Sequence, residues 1–151
     1  MLSIRSIKRG DIEKVLDHAY QLAVNTKSVS DFVLTKEKLN TGLFSDKVDW
    51  YGLVVTNNQE IIASCLYSIV NTNRAFNSTP CIFLDILFVE LEYQRLGIGG
   101  MLIKDLENIA RENGIKRIEL WCMKDNTKAI EFYKNKGAQK INLLDVYNIF
   151  I

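Results

Sequence analysis

The sequence predicts an α/β (α+β) protein whose central mixed sheet carries helices on both sides, and three observations point there. Segments with the period of two that marks a strand alternate with segments of helical period, with no internal repeat or linker-like change in composition. The run CIFLDILFV (81–89) is apolar almost throughout, as a central strand covered on both faces must be. Three of the eight glycines fall within the four positions 97–100, immediately ahead of a helical pattern.

Residues 2–7 form a short strand, and DIEKVLDHAYQLA (11–23) places Ile12, Val15, Leu16, Ala19, Leu22 and Ala23 on one helical face. Thr35 caps a second short helix through Leu39 and Leu43. Residues 50–56 and 61–70 flank the turn-forming NNQE and pair as a hairpin. Strand 81–89 follows, then a helix that begins near Gly99, buries Leu102, Leu106, Ile109 and Ala110, and ends at Asn113-Gly114. IKRIELWC (115–122) reads as a strand, and Asn126 caps a helix to about residue 136, with Gly137 after it. The tail INLLDVYNIFI is expected to supply one or two final strands, and the whole of 1–151 one domain.

Composition narrows the function. A hydrophobic fraction of 48% and a charged fraction of 25% suit a globular protein, and 19 basic against 18 acidic residues leave no field to attract nucleic acid. Cys65, Cys81 and Cys122 are odd in number, far apart and set in apolar segments, so they are expected as reduced core thiols of a cytoplasmic protein. None has a metal-ligand neighbour, and no metal is expected. The first residues, MLSIRSIKRG, lack the apolar core of an export signal, and no stretch approaches the ~20 apolar residues of a membrane span. His18, the one histidine, has no evident Ser or Cys partner and is expected at the edge of the first helix's apolar stripe.

Backbone amides and the helix dipole make the start of the helix after strand 81–89 an anion site, and glycines let phosphate oxygens approach it. Two nucleotide fingerprints fail there: a dinucleotide loop needs a small residue where Leu102 stands, and a P-loop needs Gly-Lys-Ser or Gly-Lys-Thr. A tight strand-to-helix turn would also account for the glycines.

Gln94-Arg95-Leu96-Gly97-Ile98-Gly99 resembles the Q/R-x-x-G-x-G/A signature of the GNAT superfamily, acetyl-CoA-dependent N-acetyltransferases. The resemblance extends through FLDILFVELEYQRLGIG (83–99) and WCMKDNTKAIEFYKNKGA (121–138), covers residues 50–138 well, and in VLTKEKL and FYKNKGAQ is nearest the diamine and polyamine acetyltransferase branch. It implies the GNAT fold, with a mixed and mostly antiparallel sheet. It further implies that the loop Gln94, Arg95, Leu96, Gly97, Ile98, Gly99 and Gly100 holds the CoA pyrophosphate, and that the backbone of Leu87, Phe88 and Val89 meets the thioester end. Asn126 is implied to reach the pantetheine arm besides capping its helix.

Two residues are implied to be catalytic. Asp85, the only charge in its strand, matches a glutamate that helps deprotonate the acceptor amine, and burial there would raise its pKa toward that of a useful base; a structural Asp bonded to backbone is the plain alternative. Tyr133, in A-x-x-F-Y-x-x-x-G-A, matches the phenol that protonates the leaving thiolate, where an ordinary tyrosine would be an amphipathic core edge. The activity so implied is direct acetyl transfer to a primary amine of a small molecule, against the alternatives of a protein amine or a module that binds acyl-CoA without turnover. Asp85-Ile86 stands where the branch has Glu-Asp, and residues 20–34 add Lys27 to a lone Asp31, so a monoamine or amino-acid-like acceptor is expected rather than a polyamine. The apolar terminal strand in DVYNIFI points to a homodimer.

Overall fold

The computed structural model describes residues 1–151, in two compact units. The first, Met1–Trp121, holds β1 (Leu2–Ser6), α1 (Ile12–Asn25), α2 (Lys36–Phe44), β2 (Tyr51–Asn57), β3 (Glu60–Val70), β4 (Cys81–Val89), α3 (Ile98–Glu112) and β5 (Ile118–Leu120). The second, Cys122–Ile151, holds α4 (Thr127–Asn135).

The strands lie in sequence order, antiparallel from β1 to β4, with β5 parallel to β4. The one parallel pair follows from α3, a crossover long enough to return the chain in the same direction. Between β2 and β3, Asn58 and Gln59 take φ of 47° and 75°, the left-handed pair that the NNQE turn foreshadows.

One sheet face carries α1 and α2: Ile12, Val15 and Leu39 join Val54, Ile61 and Leu66 in a single core cluster, with Ile86 at its margin. A buried aliphatic side chain of this kind stabilises by about 1.5–3 kcal/mol, which matters most for short α2, whose only buried residues are Leu39 and Gly42. Its start is fixed by Thr35, which accepts from the Lys38 amide at 3.2 Å. A Cβ on Gly42 would come within 2.8 Å of Trp50 Cε3, so bare backbone there seats the indole against the helix. The strand residues that alternate with the cluster, Leu53, Val55, Cys65 and Tyr67, are buried too. Against this second face packs α3, through Ile98, Leu102 and Leu106.

Three expectations need correction here. No strand forms after α4; Leu143, Ile149 and Phe150 are 95%, 90% and 91% exposed. A strand exists only where a neighbour takes its amides and carbonyls, and no strand of this chain pairs with the tail. Cys65 and Cys81 are buried, but Cys122 is only half-buried, on the far side of the boundary at Trp121. His18 is no edge residue: it is 1% exposed, because Ser64 and Glu90 supply the polar partners that let an imidazole leave water. No helix is long and apolar enough to cross a membrane.

Candidate active site

The pairing of β3 with β4 slips at one point. Leu66 faces Ile86 and Tyr67 faces Leu84, which leaves Asp85 as the extra residue of a β-bulge. A bulge re-aims the side chain it carries, and the burial pattern changes there: Leu84 is 4% exposed, whereas Asp85 is exposed. The expectation of a buried carboxylate is corrected accordingly, since the bulge turns it out of the packed layer. Asp85 Oδ2 accepts a hydrogen bond from Ser68 Oγ at 2.7 Å. Ser68 alternates with Leu66 and Ser64, which face α2 and α1, so the carboxylate lies on that sheet face, beyond the helices' cover. Partial removal of water by the protein around it still holds its pKa above the ordinary carboxylate value, against the Ser68 bond, which favours the charged form.

On its other side β4 is paired with β5 only from Ile82 to Leu84. From Asp85 to Val89 no strand takes up that edge. Leu87 and Val89 are half-buried, and Phe88 is 9% exposed.

The loop after β4 is anchored at both ends. Gln94 Nε2 donates to the Val89 carbonyl at 3.0 Å, so the side chain of Gln94 serves the loop itself. At the far end, Gly97 stands at the N-cap of α3 with φ 82°, and Arg95 also has a positive φ of 63°. Alternation of φ sign aims successive amides toward a common point, and the first turn of α3 leaves its own N–H groups without carbonyl partners in the helix. A Cβ on Gly97 would meet nothing within 4 Å, so the space in front of this backbone is open. The turn explanation holds at Gly97, whose positive φ demands glycine, and the same backbone has a shape into which an anion would fit; Gly99 and Gly100 lie inside α3. Arg95 and Leu96 are exposed, while Ile98 and Gly99 are buried and have only their amides to offer; Gly100 is half-buried. The donor set suits the pyrophosphate of CoA: several backbone N–H groups, a helix N-terminus and one arginine.

In the second unit, Asn126 Oδ1 accepts from the Ala129 amide at 3.2 Å and caps α4. Tyr133 is half-buried, with its ring 5.0 Å from that of Phe132 in a T-shaped arrangement.

Sequence reasoning passed over Ser68 and Glu90, and it misplaced His18. Glu90 forms an ion pair with Lys14, and its Oε1 lies 3.3 Å from His18 Nε2. Ser68 carried no sequence signal at all. No group of three or more His, Cys, Asp or Glu side chains is arranged to hold a metal ion.

Comparison with known proteins shows the family and the fold. The model of the Acetyltransferase (GNAT) family matches residues 13–138. A thialysine N-epsilon-acetyltransferase from Sus scrofa is 27% identical over 156 residues, spanning 97% of this chain and 89% of its own. Two solved structures share the fold. A possible acetyltransferase from Clostridium difficile 630 has a TM-score of 0.81 at 21% identity, covering 100% of this chain and 98% of that one. AAC(6')-Iy, in complex with the bisubstrate analog CoA-S-monomethyl-acetylneamine, has a TM-score of 0.76 at 17% identity, covering 100% and 99%.

Proposed function

The chain belongs to the GNAT acetyltransferase family, and from that premise we propose that it transfers an acetyl group from acetyl-CoA to the primary amine of a small monoamine or amino-acid-like molecule by direct attack. The observation that carries this reading is that one continuous run, Asp85 to Gly100, supplies a carboxylate of raised pKa, an unpaired strand edge and an anion cradle.

Acetyl-CoA, when bound, supplies the activated thioester carbonyl. Amides from Arg95 to Gly100 would hold its pyrophosphate, and the backbone of Leu87, Phe88 and Val89 would offer donors and acceptors to the arm and the carbonyl oxygen. An amine enters as ammonium at neutral pH and must lose a proton before its lone pair can attack. Asp85 takes that proton, directly or through one water; Ser68 occupies Oδ2, leaving Oδ1 as the basic oxygen. A carboxylate with a raised pKa is the better base, and no covalent enzyme intermediate is required. Tyr133 is assigned the proton returned to the thiolate, on the match of A-x-x-F-Y-x-x-x-G-A and the chemistry of a phenol. Tyr133→Phe is expected to lower kcat by ~10- to 1000-fold with little change in acetyl-CoA affinity. Wild-type turnover in that variant would remove Tyr133 from the mechanism.

The acceptor we favour is amino-acid-like. The thialysine acetyltransferase relative supports it, as does the single exposed carboxylate on β4; Glu119, on the neighbouring strand, has Arg117 Nε 3.5 Å away. Thiol release and mass spectrometry with lysine analogues, simple monoamines and spermidine test this. Preference for spermidine by more than about tenfold would show that further carboxylates do the recognition. Stabilisation by acetyl-CoA with no thiol released for any amine would make the protein a binding module.

We also propose a cytoplasmic homodimer in which the apolar segment 141–151 pairs with a second copy. Light scattering at micromolar concentration tests it: the full chain is expected at twice its 17.3 kDa, and a monomeric mass would reject the dimer.

A further inference from the structure

His18 is buried more deeply than any acidic or basic side chain of the first unit, and nothing in the proposed chemistry uses it. Its Nδ1 lies 2.9 Å from Ser64 Oγ on β3, its Nε2 3.3 Å from Glu90 Oε1, and its ring 4.9 Å from that of Phe88 on β4. The tautomer is set by the partners. A carboxylate only accepts, so Nε2 carries the hydrogen and donates to Glu90; Nδ1 is then the acceptor for the Ser64 hydroxyl. Lys14, one turn earlier on α1, pairs with the same Glu90 oxygen.

Glu90 is the first residue beyond β4 and the point on which the next turn of chain hangs. Its amide donates to the Ile62 carbonyl at 3.0 Å, and its carbonyl accepts from the Tyr93 amide at 2.9 Å. Gln94 then reaches back to Val89. The backbone from Val89 to Gln94, which leads into the glycine loop, is therefore tied down at a point held from α1 and β3. Helix packing alone does not require this, because an apolar side chain would fill position 18 without the cost of drying an imidazole.

We propose that His18 is a positioning residue for acetyl-CoA binding: through Glu90 it fixes the carboxyl end of β4 and the loop after it in their ligand-ready form. This rests on the acetyl-CoA reading above, and it couples the helix that covers the acceptor-side face to the loop assigned to the cofactor.

The test uses the full-length protein with His18→Leu, which keeps apolar bulk, His18→Gln, which retains an N–H donor, Glu90→Ala, and the double variant His18→Leu/Glu90→Ala. Two quantities are read: hydrogen exchange of the amides from Val89 to Gly100 without ligand, and acetyl-CoA affinity by calorimetry. In both His18→Leu and Glu90→Ala the loop amides are expected to exchange about tenfold faster and affinity to fall about tenfold. The double variant is expected to be no worse than the worse single one, and His18→Gln to recover part of the loss. If His18→Leu does not fold, Glu90→Ala carries the test alone. Faster exchange confined to α1, or unchanged affinity in folded variants that have lost only thermal stability, would make His18 a structural tether and overturn the proposal. If the loop amides respond as expected but the wild type has no measurable affinity for acetyl-CoA, the cofactor reading and the role in its binding fail together, and His18 is left as a residue that orders the loop.

Discussion

Two carboxylates five residues apart, at the middle and the end of one strand run, are treated in opposite ways. Asp85 has a single neutral partner, the Ser68 hydroxyl, and loss of water lifts its pKa. Burial also pushes Glu90 upward, but the hydrogen bonds from Lys14 and His18 outweigh it and hold its carboxyl below the ordinary value. The first arrangement leaves a group ready to accept a proton. The second makes a fixed charge that organises backbone. What separates the carboxylate proposed as base from the one that anchors backbone just past the same strand is whether a cation has been built beside it.

Removing the charge at each position breaks the comparison most directly. Asp85→Asn is expected to lower kcat/KM by about 100-fold, equivalent to ~2.7 kcal/mol, without lowering the melting temperature, because the native site already disfavours the ionised form. Steady-state thiol release and thermal melts check the two halves, and a fully active variant would return Asp85 to a structural role. Glu90→Gln acts on stability as well. It is expected to cost about 1–2 kcal/mol of stability, a fall of ~3–8 °C in Tm, by leaving Lys14 and His18 with a neutral partner.

The pH dependence sharpens the contrast. Burial, with a contribution from Lys14, holds His18 below its ordinary value, against Glu90 and Asp17. The unfolded chain thus takes up the histidine proton first as the solution is acidified, and stability falls as pH drops through the window just below 6.5. The stability Glu90 contributes is present above about pH 4.5 and is lost further into acid. Melts from pH 8 to 5 are expected to show the histidine step in the wild type and not in His18→Gln. The smallest effect belongs to Ser68→Ala. Without the hydroxyl, Asp85 protonates more readily, so the acid limb of the rate profile moves to higher pH, by less than about one unit. A shift in the other direction would mean that Ser68 does not stabilise the charged form.

Local chemistry made much of this legible in the sequence. Thr35 and Asn126 cap the helices that their positions predict, NNQE turns where its residues tolerate positive φ, and Gly97 lies where a strand gives way to a helix. Each signal is contained within a few residues. What escaped depends on partners far along the chain. His18, Ser64 and Glu90 are separated by 46 and 72 residues from the histidine outward, so no spacing rule joins them. The bulge at Asp85 has no glycine or proline to announce it, being set by how two long strands settle against each other. The tail has strand-like composition but finds no neighbour in its own chain, and composition alone cannot supply one.

The ladder between β4 and β5 stops at Leu84, and β4 runs on to Val89 with that edge unclaimed. A linear guest with amide groups of its own can dock there as a sixth strand of foreign origin, exchanging hydrogen bonds to water for bonds along the sheet. The sheet would then owe part of its cohesion to its substrate. By mass action, a guest at 100 times its Kd would add about 2.7 kcal/mol to the folded state, so on the proposed reading the protein's resistance to heat would gauge how much acyl donor surrounds it.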